Sequence, residues 1–416
     1  MLQNVIFNAN NQKISKLYRN PHKMILQKLT IATFAVLSIC CTAQSKKEMS
    51  KLIQNEFEFA NKQYRYLMKT VPADKMPQSY KDGTLITKDI SWWCSGFYPG
   101  SLWLIYEQTK DEEIKKEAER ALKIIEPNKT FTRDHDLGFM MFCSFGNAYR
   151  ITKNPEYKEI ILTSAASLST RFRSNMKAIL SWDKMGDFKG PVIIDNMMNL
   201  EMLMWASQHG GAKKLEEIAV THANTTMENH FRPNYSSYHV VDYDVNTGDV
   251  LSRKTFQGYS DSSAWSRGQG WALYGYTMMY RLTKDEKYIR QAKNIAKFIL
   301  NNPSLPKDKI PYWDFDDPKI PNVPRDASAA AVMASALLEL GQYSNGEEKI
   351  RYIRTAKKMI VSLSNEKYQA KVGENGGFLL MHSTGGLPLH SEIDVPLIYA
   401  DYYFLEALKR YKEWYL

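Results

Sequence analysis

The stretch Tyr280-Arg-Leu-Thr-Lys-Asp-Glu-Lys-Tyr-Ile-Arg-Gln-Ala292 decides the fold, because it recurs. Two close copies are Tyr106-Glu-Gln-Thr-Lys-Asp-Glu-Glu-Ile-Lys-Lys-Glu-Ala118 and Tyr149-Arg-Ile-Thr-Lys-Asn-Pro-Glu-Tyr-Lys-Glu-Ile-Ile161. Looser ones are Trp205-Ala-Ser-Gln-His-Gly-Gly-Ala-Lys-Lys-Leu215 and Leu340-Gly-Gln-Tyr-Ser-Asn-Gly-Glu-Glu-Lys-Ile350. In each, a very apolar helix ends, a short polar turn follows, and an amphipathic Lys/Glu-rich helix begins. Segments such as Ser101–Tyr106, Gly138–Tyr149 and Ala327–Leu340 lack a polar face and call for burial. Glu113–Ile125 and Tyr288–Leu300 have one wet face. The copies recur at roughly 40 to 75 residues, the irregular period of helical hairpins carrying unequal inserted loops.

Stacked hairpins make an open solenoid or a closed toroid, and apolar inner helices favour closure, since a solenoid leaves its concave face wet. Five joints plus a pair formed by the terminal helices predict an all-α, single-domain (α/α)6 barrel over residues 45–416. The first helix is expected over Lys47–Lys69. The stretches Val71–Pro99, Arg232–Ser263, Asn301–Arg325 and Lys371–Val395 are expected as loops at one mouth.

Residues 1–44 stand outside this pattern, with five basic residues and no acid. From Met24 they read as a short basic region, an apolar core ending at Cys40, and small residues around Ala43. That is the order of a secretory signal peptide, here behind an upstream extension, and the run is too short for a transmembrane span. Export to the periplasm is the expectation. Lipid anchoring at Cys40 is the second reading, since Leu37-Ser-Ile-Cys40 loosely resembles a lipoprotein box. Beyond the signal, Cys94 and Cys143 have no metal-ligand spacing and are expected as buried thiols. The net charge of +10 includes no dense basic run, so a nucleic-acid partner is not expected. The sequence leaves the oligomeric state open.

Four segments place polar side chains at the start of an inner helix: Trp92–Trp103, Arg133–Phe139, Gly190–Trp205 and Gln257–Trp271. In a barrel their N-termini converge on one mouth, where free N–H groups and positive dipole ends suit an anion. Asp195 lies between Val192-Ile-Ile194 and a helix expected to start at Met197. Its oily flanks raise a carboxyl pKa toward the range of a general acid, while the plainer reading is a helix cap. Asp136 stands in the same context before Leu-Gly-Phe-Met-Met. Two such carboxyls facing one cavity are what glycan hydrolysis commonly uses. Arg267, between Trp265 and Trp271, suggests a guanidinium in an aromatic setting that forks an anion, or a buried salt bridge closing the barrel. Asp261 and Asp326 read as plain caps, and Asp314-Phe-Asp-Asp317 as a solvated turn. No His or Cys spacing supports a metal, and no cofactor motif is present.

These motifs together resemble glycoside hydrolase family 88, the unsaturated glucuronyl hydrolases. The matching pieces are Trp93-Cys-Ser-Gly-Phe-Tyr-Pro-Gly100, His135-Asp-Leu-Gly-Phe139, Ile194-Asp-Asn-Met-Met-Asn-Leu200, Gln257-Gly-Tyr-Ser-Asp261, Ser263–Trp271 and Asp326-Ala-Ser-Ala-Ala330. The resemblance runs from about Trp92 to Ala407 and implies the same barrel. It implies a substrate made by a polysaccharide lyase, an oligosaccharide ending in a 4,5-unsaturated uronate, cleaved by hydration of the vinyl ether. Asp195 would protonate the alkene carbon and then help water to add. Asp136 would bind ring hydroxyls and support the developing positive charge. Trp93 and Trp271 would stack or wall the sugar, and His135, His239, Gln257 and Arg267 would hydrogen-bond it. Met381–His390 offers no matching serines for the second sugar. The alternatives are an unsaturated rhamnogalacturonyl hydrolase acting on pectin fragments, against which the His-Asp-Leu-Gly-Phe form argues, and a non-catalytic glycan-binding toroid.

Overall fold

The computed structural model describes Gln44 and residues 46–416. Apart from Gln44, the signal-peptide reading therefore lies outside the described residues. Residues 55–415 form one compact unit. Residues 46–54 and Leu416 group apart from it, the former as the opening turns of helix α1, residues 46–67.

The repeated joint has a physical construction visible three times. Helix α2 (Phe97–Thr109) hands over to α3 (Glu112–Ile125) through Lys110, which sits in the left-handed region at φ 57°. The Lys110 N–H bonds the Tyr106 carbonyl, and Asp111 caps α3 by accepting from the Glu113 and Ile114 N–H groups. Thr109 Oγ1 donates back to the Ile105 carbonyl at 2.9 Å and so restrains the last turn. The next inner helix is α4 (Leu137–Met141) and α5 (Asn147–Thr152) with a π turn, Phe142–Gly146, between them. It passes to α6 (Pro155–Ser169) through Lys153 and the cap Asn154. The third pair follows α7 (Leu200–Gln208) and α8 (Lys214–Asn229): α9 (Ser266–Thr283) passes to α10 (Glu286–Asn301) through Lys284 and the cap Asp285. In all three joints the Lys ammonium lies 5.4 to 5.6 Å from the ring of the Tyr four residues earlier. The motif Tyr-x-x-Thr-Lys-Asp/Asn is thus a stop signal, a left-handed corner and a start signal in six residues.

Helices α11 (Ala327–Gln342), α12 (Gly346–Leu363) and α13 (Ile398–Tyr415) complete the set. The inner helices α2, α4–α5, α7, α9, α11 and α13 each touch the next, and α13 returns to α2, so the ring closes. The outer layer is α3, α6, α8, α10 and α12, with Tyr64 of α1 stacked on Tyr98 to supply the sixth position. Helix α11 is buried from Ala327 to Gly341, as its unbroken apolar sequence requires. This is the (α/α)6 barrel.

The mouth is more ordered than a set of loops. Val71–Pro99 contains the hairpin β1 (Met76–Lys81) and β2 (Thr84–Lys88). The short pair β3 (Phe172–Arg173) and β4 (Ala178–Ile179) precedes β5 (Pro191–Ile193). Strand β5 pairs with β6 (Val240–Tyr243), which pairs with β7 (Val250–Lys254). Lys371–Val395 ends in the hairpin β8 (Ser383–Gly386) and β9 (Ser391–Val395). One contact joins two inner helices at the mouth. Asn199 Oδ1 accepts from the Phe139 N–H at 2.9 Å, and a Cβ on Gly138 would fall 2.6 Å from Asn199 Cα, so only glycine allows this approach.

Candidate active site

Six inner helices run with their N-termini toward the same mouth, and a cavity of about 340 Å³ opens there. Trp93, Asp134, Asp136, Trp182, Asp195, Phe256, Gln257, Arg267, Glu392 and Tyr399 are among its wall residues.

Asp195 is not a helix cap. It lies inside a 3-10 turn, Ile194–Met198, that separates β5 from α7, and neither that turn nor α7 takes a side-chain cap bond. The helix expected from Met197 begins at Leu200 for this reason. Its Oδ2 has no hydrogen-bond partner within the protein. Burial lifts its pKa to about 7, against the opposing charge of Arg267 and the N–H dipoles that face it. The β5–β6 pairing brings His239 beside it: Ile194 N–H donates to the His239 carbonyl, and His239 Nε2 stands 3.8 Å from Asp195 Oδ2. His239 Nδ1 accepts from the Phe256 and Gln257 N–H groups, both at 3.1 Å, which fixes the remaining proton on Nε2. Burial, and then Arg267, press its pKa down to about 3, so a neutral N–H faces the aspartate.

Asp136 repeats the arrangement. It occupies the N-cap position of α4 without making a cap bond. His135 Nε2 lies 3.4 Å from Asp136 Oδ1, and His135 Nδ1 faces Ser181 Oγ at 3.5 Å. That oxygen already accepts from the Ile193 N–H, so its own hydrogen is free for the imidazole. Burial and then the charge of Arg171 keep His135 neutral. Asp136 is held well above the usual carboxylate range by burial first, then by the charges of Asp134 and Asp195. Asp134 itself is raised to about 6 by burial.

The other predicted residues divide into wall and support. Trp93 packs against Tyr399 at 4.8 Å between ring centroids and forms part of the wall. His135, His239 and Trp271 are buried and set back from the wall, with His135 and His239 beside the two aspartates. Trp271 turns its indole N–H toward Asp195 without an ordinary hydrogen bond. Gln257 Nε2 donates to the Gly385 carbonyl at 3.0 Å. Arg267 lies between the Trp265 and Tyr399 rings, as an aromatic setting requires. Its guanidinium is committed to Asp326 at 2.8 Å and to the Thr384 and Gly385 carbonyls at 2.6 Å. Both therefore strap β8 across the cavity, and Arg267 is the closing salt bridge rather than a free anion fork.

Asp326 does cap α11, through the Ser328 and Ala329 N–H groups. Asp261 does not cap a helix; it receives the Thr255 N–H and Lys254 Nζ within the loop. Nor is Asp314–Asp317 a solvated turn. Asp314 is fully buried and receives Tyr259 N–H and Ser263 Oγ, while Asp317 receives the Trp313 indole. Among the described residues no group of acids, His and Cys is arranged to hold a metal. Cys94 and Cys143 are free thiols, the first buried and the second half-buried.

Asp134, Trp182, Phe256, Glu392 and Tyr399 were not singled out by sequence. Asp134 had a signal, standing two residues before Asp136, whose N–H its carboxylate accepts at 2.9 Å. Glu392 and Tyr399 come from a loop and a helix whose relation to the mouth depends on ring closure.

Paired buried carboxyls with raised pKa values, at the mouth of a helical toroid, define a glycan-hydrolysing barrel. The chain belongs to Glycosyl Hydrolase Family 88, whose pattern matches residues 65–415. It is 44% identical over 373 residues to an unsaturated glucuronyl hydrolase of Formosa agariphila, covering 89% of this chain and 92% of that one. It is 32% identical over 374 residues to an unsaturated chondroitin disaccharide hydrolase of Streptococcus pyogenes, covering 87% and 92%. The crystal structure of an unsaturated glucuronyl hydrolase specific for heparin superposes with a TM-score of 0.85 at 47% identity, covering 87% and 97%. The chain is a glycoside hydrolase.

Proposed function

We propose that the protein releases the 4,5-unsaturated uronate from the non-reducing end of lyase-generated acidic oligosaccharides, by hydrating the vinyl ether. The observation that carries this is Asp195: a buried carboxyl with one unpartnered oxygen, turned to the cavity and holding a proton near neutral pH. It delivers that proton to C4. Water adds at C5, its spare proton returning to the Asp195 carboxylate, and the resulting hemiketal opens to release the leaving sugar. The net change is addition of one water. The neutral His239 N–H stabilises the transient carboxylate without competing for the proton.

Asp136 binds the ring hydroxyls. Burial and the charges of Asp134 and Asp195 raise its pKa, which favours a role as hydrogen-bond donor beside its support of the cationic centre. Trp93 and Trp182 give the sugar two aromatic faces. The basic and apolar run before Cys40 supports export to the periplasm in soluble form. Among the described residues no helix is long and apolar enough to cross a membrane. The test is loss of the ultraviolet absorbance of unsaturated disaccharides with the purified protein. No loss on glycosaminoglycan, ulvan or pectin fragments overturns the reading, and loss confined to pectin fragments moves it to the rhamnogalacturonyl alternative.

A further inference from the structure

A second cleft, of about 410 Å³, opens between the loop after α8 and the end of α10, and it shares no wall residue with the catalytic cavity. Because α10 turns back against α9, whose N-terminus is at the mouth, this cleft lies at the mouth end of the barrel. One of its walls is Tyr235. The ring is 39% exposed, and its backbone adopts the left-handed region at φ 66°, an uncommon choice for a bulky side chain. The turn that carries it is braced. Tyr235 N–H bonds the Arg232 carbonyl at 2.8 Å, and Arg232 reaches across to the Asp261 and Ser263 carbonyls. A strained turn, held rigid to show an aromatic ring to solvent, points to a ligand for that ring.

The rest of the lining offers donors without acceptors. Asn234 Oδ1 is taken by the Ser236 N–H and hydroxyl, Asn301 Oδ1 by Arg351 at 2.6 Å, and Asn302 Oδ1 by the Ser304 N–H at 2.9 Å. Each amide is left with an NH2 group that donates to no other described residue. Lys297 is exposed and makes no ion pair among the described residues, whereas Lys293, one turn earlier, is paired with Glu348 at 2.8 Å. Phe298 is half-buried beside it, its ring against Phe315 at 6.0 Å. Among the described residues no acid lines this cleft, in contrast to the four carboxyls of the catalytic cavity. An aromatic face suits a sugar ring, and amide and ammonium donors with no acid beside them suit oxygens that carry negative charge.

We propose that this cleft is a second binding site, which holds an acidic glycan chain by its carboxylate or sulfate groups while the catalytic cavity works independently. The class of glycan rests on the hydrolase reading above.

The test is affinity electrophoresis of the purified protein in gels containing intact chondroitin sulfate, intact heparin or neutral dextran, none of which ends in a 4,5-unsaturated uronate. The proteins are wild type, Tyr235→Gly, which suits the left-handed backbone, Lys297→Gln, and the control Lys123→Gln, which removes an equal charge from α3. Wild type is expected to be retarded by at least one acidic polysaccharide and not by dextran. Tyr235→Gly and Lys297→Gln should each raise the apparent Kd by about fivefold or more, and Lys123→Gln should leave it unchanged. All four should turn over an unsaturated disaccharide at the wild-type rate. No retardation of wild type by either acidic chain, equal retardation by dextran, a loss as large in Lys123→Gln, or undiminished binding in the two cleft variants each overturns the proposal and leaves the hydrolase reading intact. A wild-type protein that is retarded but inactive on every unsaturated fragment overturns that reading instead.

Discussion

The barrel has a cavity at each end, and both are rich in charge. At the end away from the mouth, about 390 Å³ is lined by Glu201, Arg281, Glu339, Glu406 and Arg410, among others. There every acid meets a base. Glu339 is fully buried and receives Arg281 Nε at 2.6 Å and Arg410 at 3.0 Å. Arg281 also reaches Glu201 at 2.7 Å, and Arg410 reaches Glu406 at 3.4 Å. Despite burial, the two guanidinium groups pull Glu339 below the usual carboxylate range. At the mouth, Asp195 is equally buried and moves the other way, to about 7. The sizes of the cavities do not tell them apart; the partners do. A paired carboxylate locks helices together, while an unpaired one keeps a proton that it can give away.

Breaking each end should show the difference. Asp195→Asn should lower kcat/KM by about a thousandfold, since general acid catalysis is commonly worth a hundred- to ten-thousandfold. Its circular dichroism should match wild type, and near-wild-type turnover would strip Asp195 of its role. Glu339→Gln at the far end should do the reverse. It leaves two buried guanidinium groups without their shared carboxylate and should cost about 3–5 kcal/mol of stability in denaturant melts. Activity in the folded fraction should change little; a melt unchanged from wild type would mean that the ion pairs hold nothing.

A third comparison uses pH. The folded pKa of Asp195, about 7, lies above the ordinary value of 3.8. The protonated form is thus favoured by folding: this stabilisation is complete below about pH 4 and is lost as pH rises through 7. Asparagine does not titrate, so at pH 8 Asp195→Asn should be more stable than wild type by about 2–4 kcal/mol. The gap should close toward pH 4, and a gap independent of pH would contradict the shift. The activity of wild type should fall above pH 7 for the same reason. The smallest effect is expected from His239→Ala, a loss of about tenfold. Removing an N–H that favours the carboxylate should also move the alkaline limb of the activity profile upward. An unmoved limb would make His239 packing alone.

The barrel was legible because its joints are local. The corner and cap bonds of Thr109, Lys110 and Asp111 are made with residues at most four positions away, so the repeat in sequence is the repeat in space; only the further bonds that Asp111 accepts from Asn61 and Arg65 reach across the fold. The two aspartates were legible as candidates by their oily flanks. Their ambiguity with helix caps could not be settled until the 3-10 turn at Ile194–Met198 removed Asp195 from any cap position. The division between wall and support was not legible. His135, His239 and Trp271 stand in the same motifs as Trp93 and Gln257, and only ring closure decides which reach the cavity. Arg267 gave the right environment and the wrong availability, because its acceptors, Thr384 and Gly385, lie more than a hundred residues away. Glu392 had no signal at all: a glutamate in a loop is normally solvated, and its direction depends on a left-handed backbone and on Gln78 from β1.

The seam between Gly138 and Asn199 gives the two carboxyls a common pivot. Asp136 and Asp195 are like jaws mounted just above it, one at the start of α4 and one in the 3-10 turn before α7, and the Phe139–Asn199 bond clamps the hinge shut. The bite of the site is therefore set by a single glycine's missing methyl group. A methyl added at residue 138 would wedge the jaws apart without touching either tooth, and the width of the gap, rather than its chemistry, would become the thing that fails.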